Sequence, residues 1–383
     1  MLKKKHLVFL LLITVLAILV RFAGRDLISE DMETAFLPWF NTMKNNGGLA
    51  ALSKQIGDYG LLYQTVVALL TYIDIKPVYL YKIVPGFFDF LLAASVAYFI
   101  THYELKANTT DIDRDRKLSL SYAYVLLLPT IVWNSAYWGQ CDSIYTFFLL
   151  WSMWFLYKEE YTLSFFALGC SLAFKLQGIL LAPLFVYAFF SQRKFPLVKV
   201  LIVPVTFWLS GIVVYIYRLK SFDGVTIYSN QVSMFKHMWM NVPSFWVFIN
   251  DNYEKYHLIA IGLTFLILGF GLYMVISGRV HCDSFEQMLG LAVFVEWTCI
   301  AFLPAMHERY TYVMDLFLLM LVFVNRKYFG YAVIAIVTSC LTYSAYLFTD
   351  RGLIPAIVIV YLLTWLHFSY VLFSGSYTKS LEQ

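Results

Sequence analysis

The stretch LVFLLLITVLAILV, residues 7–20, decides the class of fold of this chain. It follows Lys3-Lys4-Lys5-His6 and precedes Arg21, so basic groups bound an apolar segment. A segment of this kind is either a signal peptide or a membrane helix. Because no Ala-x-Ala cleavage pattern follows Gly24 and further apolar runs continue along the chain, we interpret it as a retained first helix. The positive-inside rule then places its lysines in the cytoplasm.

The composition extends this interpretation to the whole chain. The 383 residues are 61% hydrophobic and 14% charged, and their mean hydropathy is +0.69, far more apolar than a soluble domain. The net charge of +4 is small, which argues against a nucleic-acid partner. The five cysteines are scattered without a CxxC pair, so they indicate neither a disulfide framework nor a metal site. We predict an all-α polytopic membrane protein in one domain, residues 1–383, with about twelve transmembrane helices and no separate soluble domain.

Polar intervals and one overlong apolar run determine the predicted topology. Residues 26–77 form the first external loop with short interfacial helices, residues 134–142 a short external turn, and residues 218–256 a long external loop that acts as a lid or substrate contact. Residues 161–190 would make a helix about 45 Å long, against a hydrocarbon core of about 30 Å. We therefore divide the run at Lys175-Leu176-Gln177-Gly178 into a hairpin of two short helices. One tilted helix is the alternative, and it would reverse every later span.

Four polar clusters reach one membrane face under this topology. The first is Ser29-Glu30-Asp31-Met32-Glu33, directly after the first helix. The others are Gln140-Cys141-Asp142, Lys175 with Gln177, and His307-Glu308-Arg309-Tyr310. Ionisable groups in a membrane cost on the order of 2.5–3.5 kcal/mol each unless they are paired or hydrated. The clusters therefore predict a shared polar pocket.

Each cluster also has a purely structural interpretation. Asp142 can cap the following helix, Lys175 can extend to the interface from a short helix, and His307-Glu308-Arg309 can pair internally. The carboxylates after the first helix also suit a divalent ion such as Mg²⁺ or Mn²⁺, although the chain has no HExxH motif and no Cys/His ladder. We expect no cofactor and keep the metal as the alternative.

The motifs together resemble those of GT-C integral-membrane glycosyltransferases. They are most similar to bacterial proteins related to the GPI mannosyltransferases and to the lipid-linked-oligosaccharide glucosyltransferases. The matching pieces lie between residues 29 and 310, and the later spans match only by hydropathy. They are the acidic cluster with Phe36-Leu37-Pro38-Trp39-Phe40, Gly57-Asp58-Tyr59, Tyr137-Trp138-Gly139-Gln140-Cys141-Asp142-Ser143, Phe174-Lys175-Leu176-Gln177 and Met306-His307-Glu308-Arg309-Tyr310.

The resemblance implies an inverting transferase that moves a sugar from a polyprenyl-phosphate donor to a cell-envelope glycan or glycolipid. We expect a hexose such as mannose, glucose or galactose, and N-acetylhexosamine is also open. The active site would face outward from a bacterial plasma membrane, with both termini in the cytoplasm. Asp31 is the implied catalytic base, with adjacent Glu30 as the rival. The implied donor-phosphate and substrate-binding residues are Lys175, Gln177, His307, Glu308, Arg309, Tyr310, Gln140, Asp142, Asp58 and Tyr59. A transporter or flippase of lipid-linked sugars and a non-catalytic assembly partner are the alternatives.

Overall fold

The predicted helical fold is present in the described part of the chain. A computed structural model describes residues 3–103, 111–192, 195–218, 223–249, 251–348 and 354–374, and every named element in it is helical. Six helices are long and apolar enough to cross a membrane. Two bent helix pairs raise that number to eight when each counts as one span. The larger number of about twelve spans stays a prediction.

The chain divides into two compact units, and the single domain stays a prediction. Unit 1 comprises Met1–Gly178 and Pro196–Met234, and unit 2 comprises Ile179–Phe195 and Phe235–Gln383. The helices of unit 1 are α1 Lys4–Ala23, α2 Leu37–Asn45, α3 Leu61–Leu70, α4 Pro77–His102, α5 Asp111–Leu126, α6 Pro129–Val132, α7 Asp142–Tyr157, α8 Tyr161–Phe174, α10 Ile202–Ser210, α11 Ile212–Arg218 and α12 Asp223–Met234. Those of unit 2 are α9 Ala182–Gln192, α13 Tyr253–Ile276, α14 Phe285–Phe302, α15 Tyr312–Val324, α16 Phe329–Phe348 and α17 Ile354–Ser374.

Helix α1 is held in unit 1 by one charged contact near its end. Its apolar side chains are mostly exposed, and Ala17 is its buried residue. Arg21 pairs with the buried Asp89 of α4 at 2.8 Å, and Ser135 donates to the same carboxylate oxygen at 2.5 Å. The guanidinium also donates to the carbonyl of Leu126 at 3.1 Å. A charge pair inside a membrane is tolerated when its members are hydrogen-bonded, so these contacts fasten α1 to α4 and α5.

Two predicted loops contain helical structure. The interval 26–77 holds a π-helical turn over Met32–Phe36, then α2, a 3-10 segment over Gly48–Ser53 and α3. The predicted turn at 134–142 is wrong over its first half, because Trp133–Trp138 also form a π-helical turn. That turn ends at Gly139, whose φ of 82° is a left-handed conformation that glycine adopts without strain. Polar Asn134 and Ser135 are buried in the turn because tertiary partners bind them.

The predicted division of the long apolar run is present as a helix break. Helix α8 ends at Phe174, and Lys175 has an extended backbone with φ −154° and ψ 136°. A 3-10 segment, Leu176–Leu181, leads into α9. Whether the two helices form a hairpin stays a prediction.

The core of unit 2 is built around α14. This helix begins with a capping box, in which Ser284 and Gln287 exchange side-chain and backbone hydrogen bonds, and most of its residues are buried. The predicted long loop 218–256 is partly helical, since it contains α12 and a 3-10 turn over Phe245–Phe248. Residues 219–222 and 250 of this interval, and the C-terminal residues 375–383, lie outside the described residues.

Candidate active site

Asp31 is the carboxylate that the first polar cluster directs into unit 1. Its side chain is half-buried, whereas Glu30 and Glu33 are exposed. Trp138 Nε1 donates to Asp31 Oδ2 at 2.9 Å, and Gln140 Nε2 donates to the same oxygen at 2.5 Å. Two donors on one oxygen orient the carboxylate plane. The structure therefore brings the first two predicted clusters together.

The backbone that carries Asp31 is held from two directions. Ser29 Oγ donates to the carbonyl of Trp138 at 2.9 Å and accepts from the Met32 amide at 3.2 Å. Buried Lys82 of α4 donates to the carbonyls of Gly24 at 2.7 Å and Leu27 at 2.6 Å. The end of a helix leaves carbonyls without partners inside the helix, and Lys82 binds those that follow α1. Asp31 thus lies on a connection with few conformations available to it.

Tyr59 fixes the amide that contacts Asp31. Its hydroxyl donates to Gln140 Oε1 at 2.8 Å, so the opposite end of that side chain presents its N–H group to the carboxylate. The preceding Gly57 has φ +74°, and a Cβ there would lie 2.7 Å from the indole ring of Trp39. Glycine therefore allows the chain to pass flat against this ring. Asp58, between Gly57 and Tyr59 in the chain, is half-buried.

Lys175 and Asp142 form a buried ion pair. Lys175 Nζ lies 2.5 Å from Asp142 Oδ1, and the two side chains are 2% and 0% exposed. Asn134 Nδ2 donates to the other carboxylate oxygen at 2.7 Å. This pairing differs from the structural roles weighed for the two residues from the sequence. Lys175 does not extend to an interface, and Asp142 is bound by side chains at the start of α7.

The ring of Tyr59 connects the ion pair to Asp31. Lys175 Nζ lies 5.4 Å from the ring centroid, a distance at which a cation is attracted to the aromatic face. The hydroxyl of the same residue contacts Gln140, as described above. Three of the four predicted clusters are consequently close together in unit 1. Gln177 lies in the 3-10 segment after Lys175 and is half-buried.

Comparison with known proteins adds no family to these contacts. No family model matches the chain, and no curated protein matches it. The resemblance to GT-C transferases stays a prediction based on the quoted motifs.

The fourth cluster lies in unit 2, where it packs on the later part of the 218–256 interval. His307, Arg309 and Tyr310 are buried with Glu308, and Arg309 Nη1 lies 3.5 Å from Glu308 Oε1. The internal pairing weighed from the sequence is therefore present. The Glu308 amide donates to the carbonyl of Met240 at 3.2 Å. Backbone pairing to this interval thus holds the motif in a fixed shape.

A hydrogen-bonded contact outside the spans holds the same interval against the start of α13. Asp251 accepts from the Met238 amide at 2.6 Å and contacts His237 Nδ1 at 2.7 Å. Partial burial raises the pKa of Asp251, but the hydrogen bonds from His237 and Met238 outweigh that effect and hold the pKa below its ordinary value. The carboxylate is therefore ionised over the ordinary pH range.

The residues that could hold a metal do not gather into one group. Among the described residues, no cluster of three or more His, Cys, Asp or Glu side chains has a suitable arrangement. Glu30 and Glu33 are exposed while Asp31 is turned toward Trp138 and Gln140. The metal remains an alternative to the prediction of no cofactor.

Three contacts of the candidate site do not follow from the sequence. Trp138 was quoted within a motif, yet nothing in the sequence indicates that its indole binds Asp31. Asn134 was assigned to a turn, and its spacing of eight residues from Asp142 is the one available signal. For Lys82 the sequence does carry a signal, because a lysine in the apolar run of α4 needs a polar partner.

Proposed function

We propose that this protein is an inverting glycosyltransferase that uses a polyprenyl-phosphate sugar, a hexose, as donor and a cell-envelope glycan or glycolipid as acceptor. The observation that carries the proposal is the oriented Asp31 carboxylate beside the buried pair of Lys175 and Asp142 in unit 1. The resemblance of the quoted motifs indicates the reaction class, and the contacts among their residues support the roles that we propose for Asp31 and Lys175.

In the proposed reaction, the acceptor hydroxyl attacks the anomeric carbon while the bond from that carbon to the donor phosphate breaks. Asp31 takes the hydroxyl proton, and polyprenyl phosphate leaves with the bonding electron pair. A positioned carboxylate of this kind contributes a factor of about 10²–10⁴ as a general base. Glu30 is the weaker candidate because its side chain is exposed and its neighbour has the oriented carboxylate.

Lys175 is proposed to bind the donor phosphate. Its ammonium carries three N–H donors, and Asp142 orients the group through one of them. Cations directed at the leaving phosphate stabilise the charge that develops as the bond breaks. The resemblance implies donor-phosphate binding for His307 and Arg309 as well, and for these residues of unit 2 the role stays a prediction from the motif. The half-buried indole of Trp39 suits the C–H surface of a sugar ring.

The test is transfer from synthetic polyprenyl-phosphate sugars by the purified full-length chain. We expect the wild-type chain to form a glycosidic bond, and Asp31→Asn to lower the rate by about 10²-fold or more while its unfolding temperature is unchanged. Glu30→Gln is the matched control and should retain the rate. Equal loss in both variants would contradict the assignment of the base. Movement of lipid-linked sugar across vesicles without a new bond would support the transporter alternative.

We also propose an outward-facing site in a protein of about twelve spans with both termini in the cytoplasm. Exposed Lys44 on α2 follows Asp31 closely in the chain. Lys44→Cys should react with an impermeant thiol reagent added to whole cells. Reaction only after the cells are opened would reverse the proposed orientation.

A further inference from the structure

A groove lies between α1, α4 and α5, toward the first residues of α1. Its volume is about 450 Å³, within the range of roughly 300–1,000 Å³ that is typical of ligand pockets. The lining is apolar along most of its length, with Leu10, Ala97 and Leu118 from the three helices. All of these residues belong to unit 1. The candidate active site follows the other end of α1, so the groove is a separate feature.

Polar groups collect at one end of this groove. His102, the last residue of α4, lines the groove and contacts two cations. Arg114 Nη2 lies 2.9 Å from His102 Nε2, and Lys158 Nζ donates to the His102 carbonyl at 3.3 Å. Both cations are exposed, so most of their N–H donors can bind another group. The nearby carboxylate of Asp115 accepts from the backbone amide of Lys3 at 3.1 Å.

We propose that this groove binds one acyl chain of an anionic glycerophospholipid, with the lipid phosphate at Arg114 and Lys158. The apolar lining alone gives little selection, because a lipid tail is already in an apolar medium before it binds. Selection must therefore come from the head group. Each lysine or arginine near an anionic head group strengthens the attraction by about fivefold. Two such cations beside an apolar groove match one phosphate attached to a chain.

The alternative occupant is a helix from another protein. The groove is bounded on one side by α1, whose outer surface is almost entirely exposed. A partner helix would need to bring acidic residues to Arg114 and Lys158, whereas an anionic lipid carries that charge in every molecule. The charge at the end of the groove thus favours the lipid.

The test uses the full-length chain in lipid nanodiscs with a phosphatidylglycerol that carries a diazirine in its acyl chain. Photolysis should label peptides of α1, α4 and α5 that contain Leu10, Ala97 and Leu118. An excess of unlabelled phosphatidylglycerol should suppress labelling at least tenfold better than phosphatidylcholine with the same chains. Equal competition by the two lipids would overturn the proposal.

Separate variants test the charged end of the groove and its apolar part. Arg114→Gln combined with Lys158→Gln should reduce the preference for the anionic lipid by roughly 25-fold, the product of about fivefold for each cation. Lys44→Gln, on α2, is the matched control and should leave the preference unchanged. Retention of the preference in the double variant would refute the role of the head group.

The groove itself is tested by a substitution that fills it. Ala94 is an exposed residue of α4 that lines the groove, so Ala94→Trp adds volume there without entering the core. We expect this variant to lose the specific labelling and to keep the wild-type unfolding temperature. Ile83→Trp, at an exposed position elsewhere on α4, should retain the labelling. Equal labelling of the two tryptophan variants would overturn the proposed site.

Discussion

Replacing Lys175 with methionine removes one member of the buried ion pair in the candidate active site. The substitution nearly conserves side-chain length and removes the charge 2.5 Å from Asp142 Oδ1. Asp142 is then a carboxylate with no exposed surface, and the hydrogen bond from Asn134 is insufficient to replace the cation. Removing one partner of a buried pair costs about 3–5 kcal/mol, so we expect Lys175→Met to lower the free energy of unfolding by that amount.

A second substitution distinguishes the pair from its separate members. Replacing both residues, Lys175→Met with Asp142→Leu, removes the buried charge completely, and apolar pairs of similar volume are often as stable as the ions. We therefore expect the double variant to recover most of the loss. Because Asp142→Leu alone also leaves a buried charge without its partner and costs a similar amount, about 3–5 kcal/mol, the coupling energy in a double-mutant cycle is about 5 kcal/mol or more.

The assay is reversible unfolding in mixed micelles, with the free energy of unfolding measured for the four proteins of the cycle. Exposed Lys44→Met is the control for loss of a lysine and should change stability by less than about 0.5 kcal/mol. A loss below about 1 kcal/mol for Lys175→Met would show that the charges are not buried, and additive effects in the cycle would show that they are not coupled.

Two further predictions concern a hydrogen bond and a titration. Tyr59→Phe removes the hydroxyl that binds Gln140. Because one hydrogen bond to a charged network contributes about 1.5 kcal/mol, the transfer rate should fall by about tenfold with little change in unfolding temperature. An unchanged rate would argue against the orienting role of Tyr59. The lowered pKa of Asp251 contributes stability that is complete above the unfolded value of about 3.9 and is lost as the pH falls through the folded value. Asp251→Asn should accordingly flatten the decrease in unfolding temperature on acidification, and identical pH profiles would contradict the contact with His237.

The position of the first helix follows from hydropathy alone. The apolar run over residues 7–20 lies within α1, Lys4–Ala23, because an apolar run of that length has few other conformations in a membrane. The break at Lys175 follows from length, since residues 161–190 would make a helix about 45 Å long against a hydrocarbon core of about 30 Å. As a charge within that run, Lys175 also requires a partner.

The identity of that partner could not be predicted. Lys175 and Asp142 are 33 positions apart, and their contact depends on how α7 and α8 pack. The same limit applies to Trp138, whose indole could equally have filled the core. Asp31 could be chosen over Glu30 only weakly from a motif, whereas the structure separates them by exposure and by the donors at Asp31. Long-range packing, which sequence periodicity does not encode, accounts for these differences.

The bonds from Lys82 to the end of α1 have a consequence for synthesis of the chain. Lys82 lies 55 positions after Leu27, so the carbonyls that follow α1 emerge from the ribosome well before their donor does. Until α4 inserts, those carbonyls must remain in contact with water, and the acidic segment next to them has no fixed place. Asp31 acquires its orientation later still, because its donors Trp138 and Gln140 follow it by 107 and 109 positions. A chain truncated before α4 would contain the acidic segment after α1 but would lack the hydrogen bonds that hold it in place.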